Sequence, residues 1–535
     1  MEPGEYVHIG LSKSLIELLS SVHNVPSELI LDISTDGAVA DNHSTKSYWP
    51  IQIRVINVPN TLPIIIGLYL GKEKPSDSSE LFQYVADEFK VIEEKGGINF
   101  QNKLISVKFN CFIGDAPARA YVLKHVGHTS YNACSKCKIV GQYRYRRMCF
   151  LGVNHCQRTN EEYNARGDKK HHRTGESPLS LLKINPVSNV PFDYMHLVLL
   201  GVMKKLFHAW IEGKFSGFQK LTAEQIEELD RRLKSLDEWC PSEFARRPDA
   251  VSSFAKYKAT QFRHFLLYAG PCVLLNILPD YVYTHFILLH TSIRILATPS
   301  PTKAQLIYAK HALNLFVNKA PEIYGKDFMS FNIHGLVHLV DDVKRLGPLD
   351  SHSAFCYENK MPEIHKSVRT HYRPLQQFLR RTQEKNMYYK TRNIRSSNSI
   401  CAYAPHTKGP LPLGYLEECI QYTKITSENF LWSTERKDRN CLLKDNSVCL
   451  IENIILVNGI YHLIVRRYNK IEKMYKYNIP SQPCTDFFKC SDLMPELVSV
   501  PFYSVLQKCY RMPAVNFGQL IEENIQYIVP LLHEN

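Results

Sequence analysis

The hydrophobic pattern of the first part of the chain predicts a small mixed sheet. Three apolar, β-branched runs separated by turn-rich segments lie between residues 28 and 70. A helical pattern follows at 78–94 and stops at Lys95-Gly96-Gly97. Residues 104–115 then alternate like a further strand, and a helical pattern begins directly after them. This order of three strands, helix, strand and helix predicts an α/β sheet with an antiparallel start.

The pattern changes twice further along the chain. Helical segments dominate from about residue 128 to 345, and the strand signal fades there. Residues 356–389 predict one long, amphipathic and basic helix with a break at Pro374. Short strands return past residue 400, which predicts a small β-rich domain at the end.

Composition narrows the class of protein. The 535 residues are 44% apolar and 22% charged, which excludes disorder, collagen and coiled coil as descriptions of the whole chain. At about 100–200 residues per domain, the length predicts roughly three domains. No run of about 18 apolar residues occurs, and the first residues lack an export signal. We therefore expect a soluble intracellular protein whose fifteen cysteines are reduced thiols or metal ligands.

The net charge of +13 is concentrated in two segments. Residues 138–173 hold nine basic and three acidic side chains, and residues 358–395 hold ten and three. Together these segments account for the whole excess, so the remaining residues are neutral as a set. Concentrated basic surfaces are typical of proteins that bind polyanions, because each neutralised phosphate releases counterions. The alternative is two solvated basic faces without a ligand.

Three acidic residues are candidates for a metal site. Asp36 and Asp115 each follow a predicted strand, and they would project from the same sheet edge if the first and fourth strands are neighbours. Such a pair is usually neutralised by a hard divalent cation such as Mg²⁺. Glu358, near the start of the basic helix, could complete a site for two ions that supports phosphoryl displacement. A turn or N-cap role is the alternative for the aspartates, above all for Asp115.

A second constellation has the spacing of a zinc site. Cys134 and Cys137 form a CxxC motif, and His334 and His338 are four residues apart, on one face of a helix. One Cys₂His₂ zinc site would tie the beginning of the helical block to its end. The alternative is that the CxxC motif and the histidine pair are unrelated features. Other residues that could serve as zinc ligands are Cys149, Cys156, His171 and His172.

Asp193 and His196 open the apolar segment LVLLGVMKKL, with both residues on one helix face. A capping aspartate and a buried histidine would explain the pair. The alternative is a polar pair that supports the active site.

These motifs, in this order, resemble those of the DDE transposases of the CACTA (En/Spm-like) group, and through them the catalytic core of the V(D)J recombinase. The resemblance covers roughly residues 28–385, about two-thirds of the chain. It rests on the segments ISTDGAVADNHSTKSYWPIQIRVIN, FIGDAPARAYVLKHVGHTSYNACSKC, PFDYMHLVLLGV and NIHGLVHLVDDVKRLGPLDSHSAFCYENKM.

The resemblance implies a ribonuclease-H-like catalytic core interrupted by a large helical insertion. Its catalytic carboxylates would be Asp36, Asp115 and Glu358, holding two Mg²⁺ or Mn²⁺ ions. The insertion would carry structural zinc on the CxxC motif and the histidine pair, and the family's DxxH motif matches Asp193 and His196. The implied division is a helical lead-in over 1–27, a catalytic domain formed by 28–127 and 350–395, a zinc-binding insertion over 128–349, and a β-rich domain over 400–535.

The resemblance also implies the partners and the place of action. A DDE transposase cleaves and joins DNA at transposon ends and target, in the nucleus, and pairing two ends needs at least a dimer. We expect the DNA contacts to come from the two basic segments, through Arg144, Arg146, Arg147, Lys169, Lys170, Lys366, Arg369, Arg373, Arg380 and Arg381.

One departure from the family concerns the N-terminus. Such transposases usually carry an N-terminal segment that recognises the terminal repeats, whereas here the first predicted strand begins by about residue 29. Either other parts of the chain bind the ends, or the protein is a truncated or domesticated copy that binds DNA without transposition. A host nuclease of the same fold is a third expectation.

Overall fold

A computed structural model describes residues 1–39, 46–390, 400–415, 417–427, 430–474, 486–514 and 522–532. Within it the chain forms two compact units. The first consists of Met1–Gly201 and Lys326–Arg395, and the second of Val202–Gly325 and Ser396–Asn535. The first unit contains every residue of the two predicted metal sites.

A mixed sheet forms the centre of the first unit. Its strands are β1 (Glu5–His8), β2 (Glu28–Thr35), β3 (Ala38–Val39), β4 (Ser47–Val55), β5 (Ile64–Gly71), β6 (Ile98–Phe100) and β7 (Lys103–Ile113). The order across the sheet is β1-β5-β4-β2-β7-β6, with β3 beside β4. Strands β2 and β7 are parallel, and the other pairs are antiparallel. The first and fourth predicted strands, β2 and β7, are therefore neighbours.

Helices fill the rest of the first unit and half of the second. They are α1 (Leu11–Leu19), α2 (Ser78–Glu94), α3 (Ala116–Val122), α4 (Asn160–Asn164), α5 (Lys204–Phe207), α6 (Ala223–Ser235), α7 (Ala259–His264), α8 (Gly270–Val273), α9 (Asp280–Ala297), α10 (Lys303–Tyr324), α11 (Phe331–Gly335), α12 (Leu339–Leu346), α13 (Phe355–Ser367) and α14 (Pro374–Lys390). The segment Met195–Met203 has the wider turns of a π-helix and leads into α5. Leu15 of α1 and Phe82 and Phe89 of α2 are buried in the same core as the sheet.

The structure adds to the sequence expectations at both ends of this unit. The lead-in contains a strand, β1, which pairs with β5, so the first strand begins at Glu5 and not near residue 29. The predicted break in the basic helix is confirmed, but it is longer than expected: a non-helical segment at 368–373 separates α13 from α14. Pro374 is the first residue of α14, a position that proline favours because its missing N–H has no partner there.

The compact units also group the middle of the chain differently from the expected insertion. Residues 128–201 and 326–349 belong to the unit of the sheet, while 202–325 belong with the C-terminal strands. The first unit also contains a short hairpin, β8 (Gln142–Arg144) and β9 (Arg147–Cys149).

The C-terminal part of the second unit is β-rich, as the sequence predicts. Its strands are β10 (Cys401–His406), β11 (Ile420–Ser427), β12 (Phe430–Ser433), β13 (Asn440–Leu443), β14 (Val448–Val457), β15 (Ile460–Lys473), β16 (Phe488–Leu493), β17 (Val498–Pro501), β18 (Val505–Ala514) and β19 (Glu522–Pro530). Strands β14, β13, β18, β19, β16 and β15 follow one another, and the pairing of β15 with β14 closes them into a ring.

Candidate active site and metal centre

Two aspartates lie at the carboxyl ends of the parallel strands β2 and β7. Asp36 follows β2 directly, and Asp115 follows β7 after Gly114. The register pairs Ser34 with Ile113, so both side chains leave the sheet at the same edge. Oδ1 of Asp115 also accepts a hydrogen bond of 2.7 Å from the backbone N–H of Ala118 and caps α3. The N-cap role is therefore present, and the second oxygen can serve as a ligand.

Hydrogen bonds from β4 hold the start of α13 against the sheet. The buried Gln52 amide donates to the carbonyl oxygen of Tyr357 at 3.3 Å. The guanidinium of Arg54 donates to the carbonyl oxygen of Ser351 at 3.3 Å and contacts Sγ of Cys356 at 3.5 Å. Glu358 lies in the first turn of α13, and these contacts fix its position relative to the strand ends.

His196 connects Glu358 with Asp193. Its Nε2 lies 3.1 Å from Oε1 of Glu358, and its Nδ1 lies 2.7 Å from Oδ2 of Asp193. Asp193 is 1% exposed, and its Oδ1 accepts the backbone N–H of Ala354 at 2.7 Å. The DxxH pair thereby joins the π-helical segment to the helix that carries Glu358. One ligand atom from each of Asp36, His196 and Glu358 lies within 4.8 Å of the others.

Burial and the neighbouring groups in this cluster shift two pKa values. Burial of the Asp36 carboxyl and the nearby charge of Asp115 raise its pKa to about 7, although His196 and the N–H of Gly37 act in the opposite direction. Burial disfavours the charged form of His196, but its hydrogen bonds to Asp193 and Glu358 outweigh burial and raise its pKa to about 10. The cluster therefore combines carboxylates that repel one another with a cationic imidazole.

The three carboxylates line one cleft of about 220 Å³, together with Ser34, Gln52 and Tyr357. Carboxylate oxygens are the ligands that Mg²⁺ and Mn²⁺ prefer. The raised pKa of Asp36 indicates a carboxyl whose negative charge is incompletely compensated by the surrounding protein. The residues present therefore fit a hard divalent cation.

Two cysteines and two histidines form a second, buried cluster. Sγ of Cys134 lies 3.6 Å from Nε2 of His338, and Sγ of Cys137 lies 3.4 Å from Nε2 of His334. The two Nε2 atoms are 3.3 Å apart. A tetrahedral zinc ion with bonds of about 2.0–2.1 Å to nitrogen and about 2.3 Å to sulfur needs nitrogens about 3.4 Å apart and nitrogen–sulfur pairs about 3.6 Å apart. The four side chains thus have the spacing of a tetrahedral site.

The surroundings of this cluster support the same arrangement. Burial disfavours a thiolate at Cys134, but a hydrogen bond from Cys137 and the two histidines outweigh it and lower the pKa of Cys134. Nε of Arg158 donates to the carbonyl oxygens of both cysteines, at 3.1 and 3.2 Å. Two groups of potential metal ligands occur among the described residues, and neither contains the rival ligands Cys149, Cys156, His171 and His172.

Most of the basic residues predicted to bind DNA are exposed. This applies to Arg144, Arg146, Arg147, Lys169, Lys170, Lys366, Arg369, Arg373 and Arg380, while Arg381 is half-buried. Arg158, in the first basic segment, is buried in an ion pair with Asp168. Arg392 and Arg395, in the second basic segment, lie outside the described residues.

Sequence reasoning missed Gln52 and Arg54 as contributors to the site. Both interrupt the apolar run of β4 two residues apart, so they lie on one face of the sheet. A buried polar side chain in such a run needs a partner, and that need is the signal that could have pointed to them.

A match to a known protein family covers the C-terminal strands. Residues 405–528 match a domain family of unknown function, DUF8592. No curated protein matches the chain. Among the described residues, no helix combines the length and hydropathy that a membrane span requires.

Proposed function

We propose that the protein is a DDE-type DNA transposase that cleaves and joins DNA strands at a ribonuclease-H-like site. The observation that supports this most is the meeting of Asp36 and Asp115, at neighbouring strand ends, with Glu358 in one cleft. The nearby His196 does not return the pKa of Asp36 to its ordinary value, and a divalent cation bound between the carboxylates would neutralise their remaining repulsion.

In this proposal Asp36, Asp115 and Glu358 hold Mg²⁺ or Mn²⁺. Bound there, such ions would neutralise charge on the scissile phosphate and favour ionisation of the attacking water or 3′-hydroxyl. Asp193 and His196 orient Glu358 through the chain of hydrogen bonds that ends at the backbone of Ala354. Gln52 and Arg54 keep α13 against the sheet, so that the third carboxylate stays beside the other two.

The basic residues of both segments would bind the DNA backbone on either side of this chemistry. Lys366, Arg369 and Arg373 follow Glu358 on α13 and the segment after it, and they are exposed. Their contacts would be independent of DNA sequence, because phosphate contacts position a duplex without identifying its bases.

We also propose that the buried Cys₂His₂ cluster holds structural zinc. The four donors leave no open position, which is the pattern of structural rather than catalytic zinc. The ion would hold the CxxC segment to α11 and the turn after it, about two hundred residues further along the chain.

The test is strand cleavage by the purified chain with Mg²⁺ or Mn²⁺. Two substrates serve, supercoiled plasmid and linear DNA that carries the sequences flanking the coding region. We expect nicking, and joining of the freed ends, by the wild type. Asp36→Asn and Glu358→Gln should lower cleavage by at least about a hundredfold, since each replaces a negatively charged ligand of the metal ions with a neutral amide.

Glu363→Gln is the matched control, because Glu363 lies on the same helix but pairs with Lys360 and Lys385 instead of lining the cleft. Cleavage that survives in Asp36→Asn would contradict the assignment. DNA binding without any cleavage by the wild type would favour a domesticated DNA-binding protein, and cleavage without joining would favour a nuclease.

A further inference from the structure

The hairpin β8–β9, which follows the CxxC motif, is unusual in composition and exposure. Its strands pair antiparallel with Arg144 opposite Arg147. The six residues 142–147 are all exposed, and their sequence is Gln-Tyr-Arg-Tyr-Arg-Arg. Tyr143 is 61% exposed and Tyr145 is 58% exposed. Arginines bind phosphates and tyrosines stack on bases, so this alternation has the chemistry of a nucleic-acid contact.

The turn of the hairpin uses residues that are poorly suited to it. Tyr145 and Arg146 both have left-handed backbones, with φ of 53° and 57°. A two-residue hairpin turn with two positive φ values is normally formed by Asn-Gly, because other residues pay a steric cost there. The large side chains at these two positions are therefore a strained choice for the turn, and both are exposed to solvent and available to a ligand.

The base of the hairpin is fixed beside the Cys₂His₂ cluster. The backbone N–H of Phe150 donates to the carbonyl oxygen of Met329 at 2.7 Å, and its ring stacks on His334 at a centroid distance of 6.1 Å. At the other end, the N–H of Gly141 donates to the carbonyl oxygen of Tyr131 at 2.7 Å. Backbone hydrogen bonds therefore hold the base of the hairpin in place, while its tip is exposed to solvent.

The charges at the tip repel one another. Arg144 and Arg147 are directly cross-strand, a position in which like charges are destabilising, and Arg146 lies in the turn between them. Neither Arg144 nor Arg146 forms an ion pair with any residue that the structure describes. A bound polyanion would relieve this repulsion.

We infer that the hairpin 142–149 is an arm that binds locally unpaired DNA, with Arg144 and Arg146 on phosphates and Tyr143 and Tyr145 stacked on unpaired bases. Unpaired DNA fits better than a closed duplex, because paired bases cover their faces by stacking on one another. This inference rests on the proposed function, since it assumes that DNA is the partner.

The test compares binding to a fully paired duplex and to the same duplex with a short bulge, by fluorescence anisotropy without divalent cations. We expect the wild type to bind the bulged duplex at least about fivefold more tightly, the effect of stacking one base. Tyr143→Ala/Tyr145→Ala should remove this preference and leave duplex affinity within about twofold, because the phosphate contacts remain. Arg144→Ala/Arg146→Ala should weaken both affinities and lower the salt slope by about two.

Two further variants separate binding from folding. Tyr145→Asn/Arg146→Gly supplies the preferred turn sequence, so the hairpin should stay folded, with an unchanged melting temperature, and still lose much of the preference. Tyr281→Ala removes an exposed tyrosine of α9, in the other unit, and should change nothing. Equal wild-type affinities for the two duplexes, or an unchanged preference in the tyrosine variant, would overturn the inference. If the wild type bound neither duplex, the proposed function would fail as well.

Discussion

Asp193 and Glu358 hold opposite nitrogens of one imidazole, and the two carboxylates differ in what surrounds them. Asp193 is buried and its oxygens accept three hydrogen bonds, from the backbone N–H groups of Ala354 and His196 and from Nδ1 of His196. Glu358 is exposed at the cleft and contacts His196 through one oxygen. We therefore regard Asp193 and His196 as positioning residues, and Glu358 as the residue available to an ion.

Asp193→Asn tests this division of roles. An asparagine keeps the shape but presents an NH₂ group to N–H donors on one side, so one buried hydrogen bond is lost whichever way the amide is turned. We expect the pKa of His196 to fall from about 10, because the neutral amide removes the charge that helps to hold the imidazole cationic. NMR titration of the imidazole measures this shift. Asp341→Asn, at a half-buried site on α12, should leave the pKa of His196 unchanged. A pKa of His196 that stayed near 10 in Asp193→Asn would rule out the positioning role.

The Cys₂His₂ cluster leads to a second prediction at the residue scale. The purified chain should contain about one equivalent of zinc, because four donors with tetrahedral spacing complete one site. Metal analysis of Cys134→Ser/Cys137→Ser should find none, and this variant should melt at a lower temperature. Cys156→Ser, which changes an exposed cysteine, should keep both the zinc and the melting temperature. Stoichiometric zinc in the double variant would point to the rival ligands.

At the scale of elements, α1 depends on a side chain from α2 for its N-terminal cap. Gly10 precedes α1 and offers no side chain, and Glu88 of α2 accepts the N–H groups of Leu11 at 2.5 Å and Ser12 at 2.8 Å. Burial raises the pKa of Glu88, but hydrogen bonds from His8 and from these two residues outweigh it and lower the pKa to about 2. The ionised Glu88 therefore stabilises the folded first unit.

Glu88→Gln should lower stability by about 1 kcal/mol at neutral pH, as loss of a helix cap does. Because the pKa of Glu88 is lower in the folded protein than its ordinary 4.5, its contribution is complete above pH 4.5 and is lost as the pH falls toward 2. Melting temperatures measured across this range should converge for wild type and variant at the acid end. Glu94→Gln, at an exposed position of α2, is the control. A constant difference between wild type and Glu88→Gln at all pH values would contradict the capping role.

The sequence predicted the long elements of the first unit and missed the short ones. Strands β2, β4, β5 and β7 and helix α2 have enough residues for their hydrophobic period to be read, and they occur within a few residues of the predicted bounds. Strand β1 has four residues, too few for alternation to be distinguished from chance, and its place is set by pairing with β5. The break between α13 and α14 extends well before Pro374, because residues 368–373 form a turn that Gln377 hydrogen-bonds.

The residues of the candidate site also differ in how far the sequence could predict their positions. Asp36 and Asp115 follow strands, so local pattern placed each of them at a strand end, while their position at one sheet edge depended on the pairing of β2 with β7. The approach of Glu358 to them depends on contacts of Gln52, Arg54 and Asp193 with the start of α13, across separations of more than a hundred residues. Single-sequence periodicity carries no information on such contacts.

At the scale of the whole molecule, a buried cluster of charged side chains joins the helical half of the second unit to its C-terminal strands. Nζ of Lys508, in β18, lies 2.7 Å from Oε2 of Glu243 and 2.6 Å from Oδ1 of Asp438. Lys508 and Asp438 are fully buried, and Glu243 is 4% exposed. Glu243 belongs to the helical half of the unit and precedes the stretch 405–528 that matches DUF8592. The matched strands thus complete their buried charge cluster with a residue from outside the match.

Lys508→Met should therefore destabilise the second unit strongly, because it leaves two buried carboxylates without a cation. Removing one partner of a buried ion pair costs about 3–5 kcal/mol. Three of the four tryptophans lie in this unit, so their fluorescence during urea unfolding follows it. Adding Glu243→Gln and Asp438→Asn to Lys508→Met should restore part of the loss, since the buried negative charges are then removed. Lys424→Met breaks an exposed pair with Glu435 and should leave the transition in place. If Lys508→Met unfolded at the wild-type urea concentration, the cluster would not be what joins the helices to the strands.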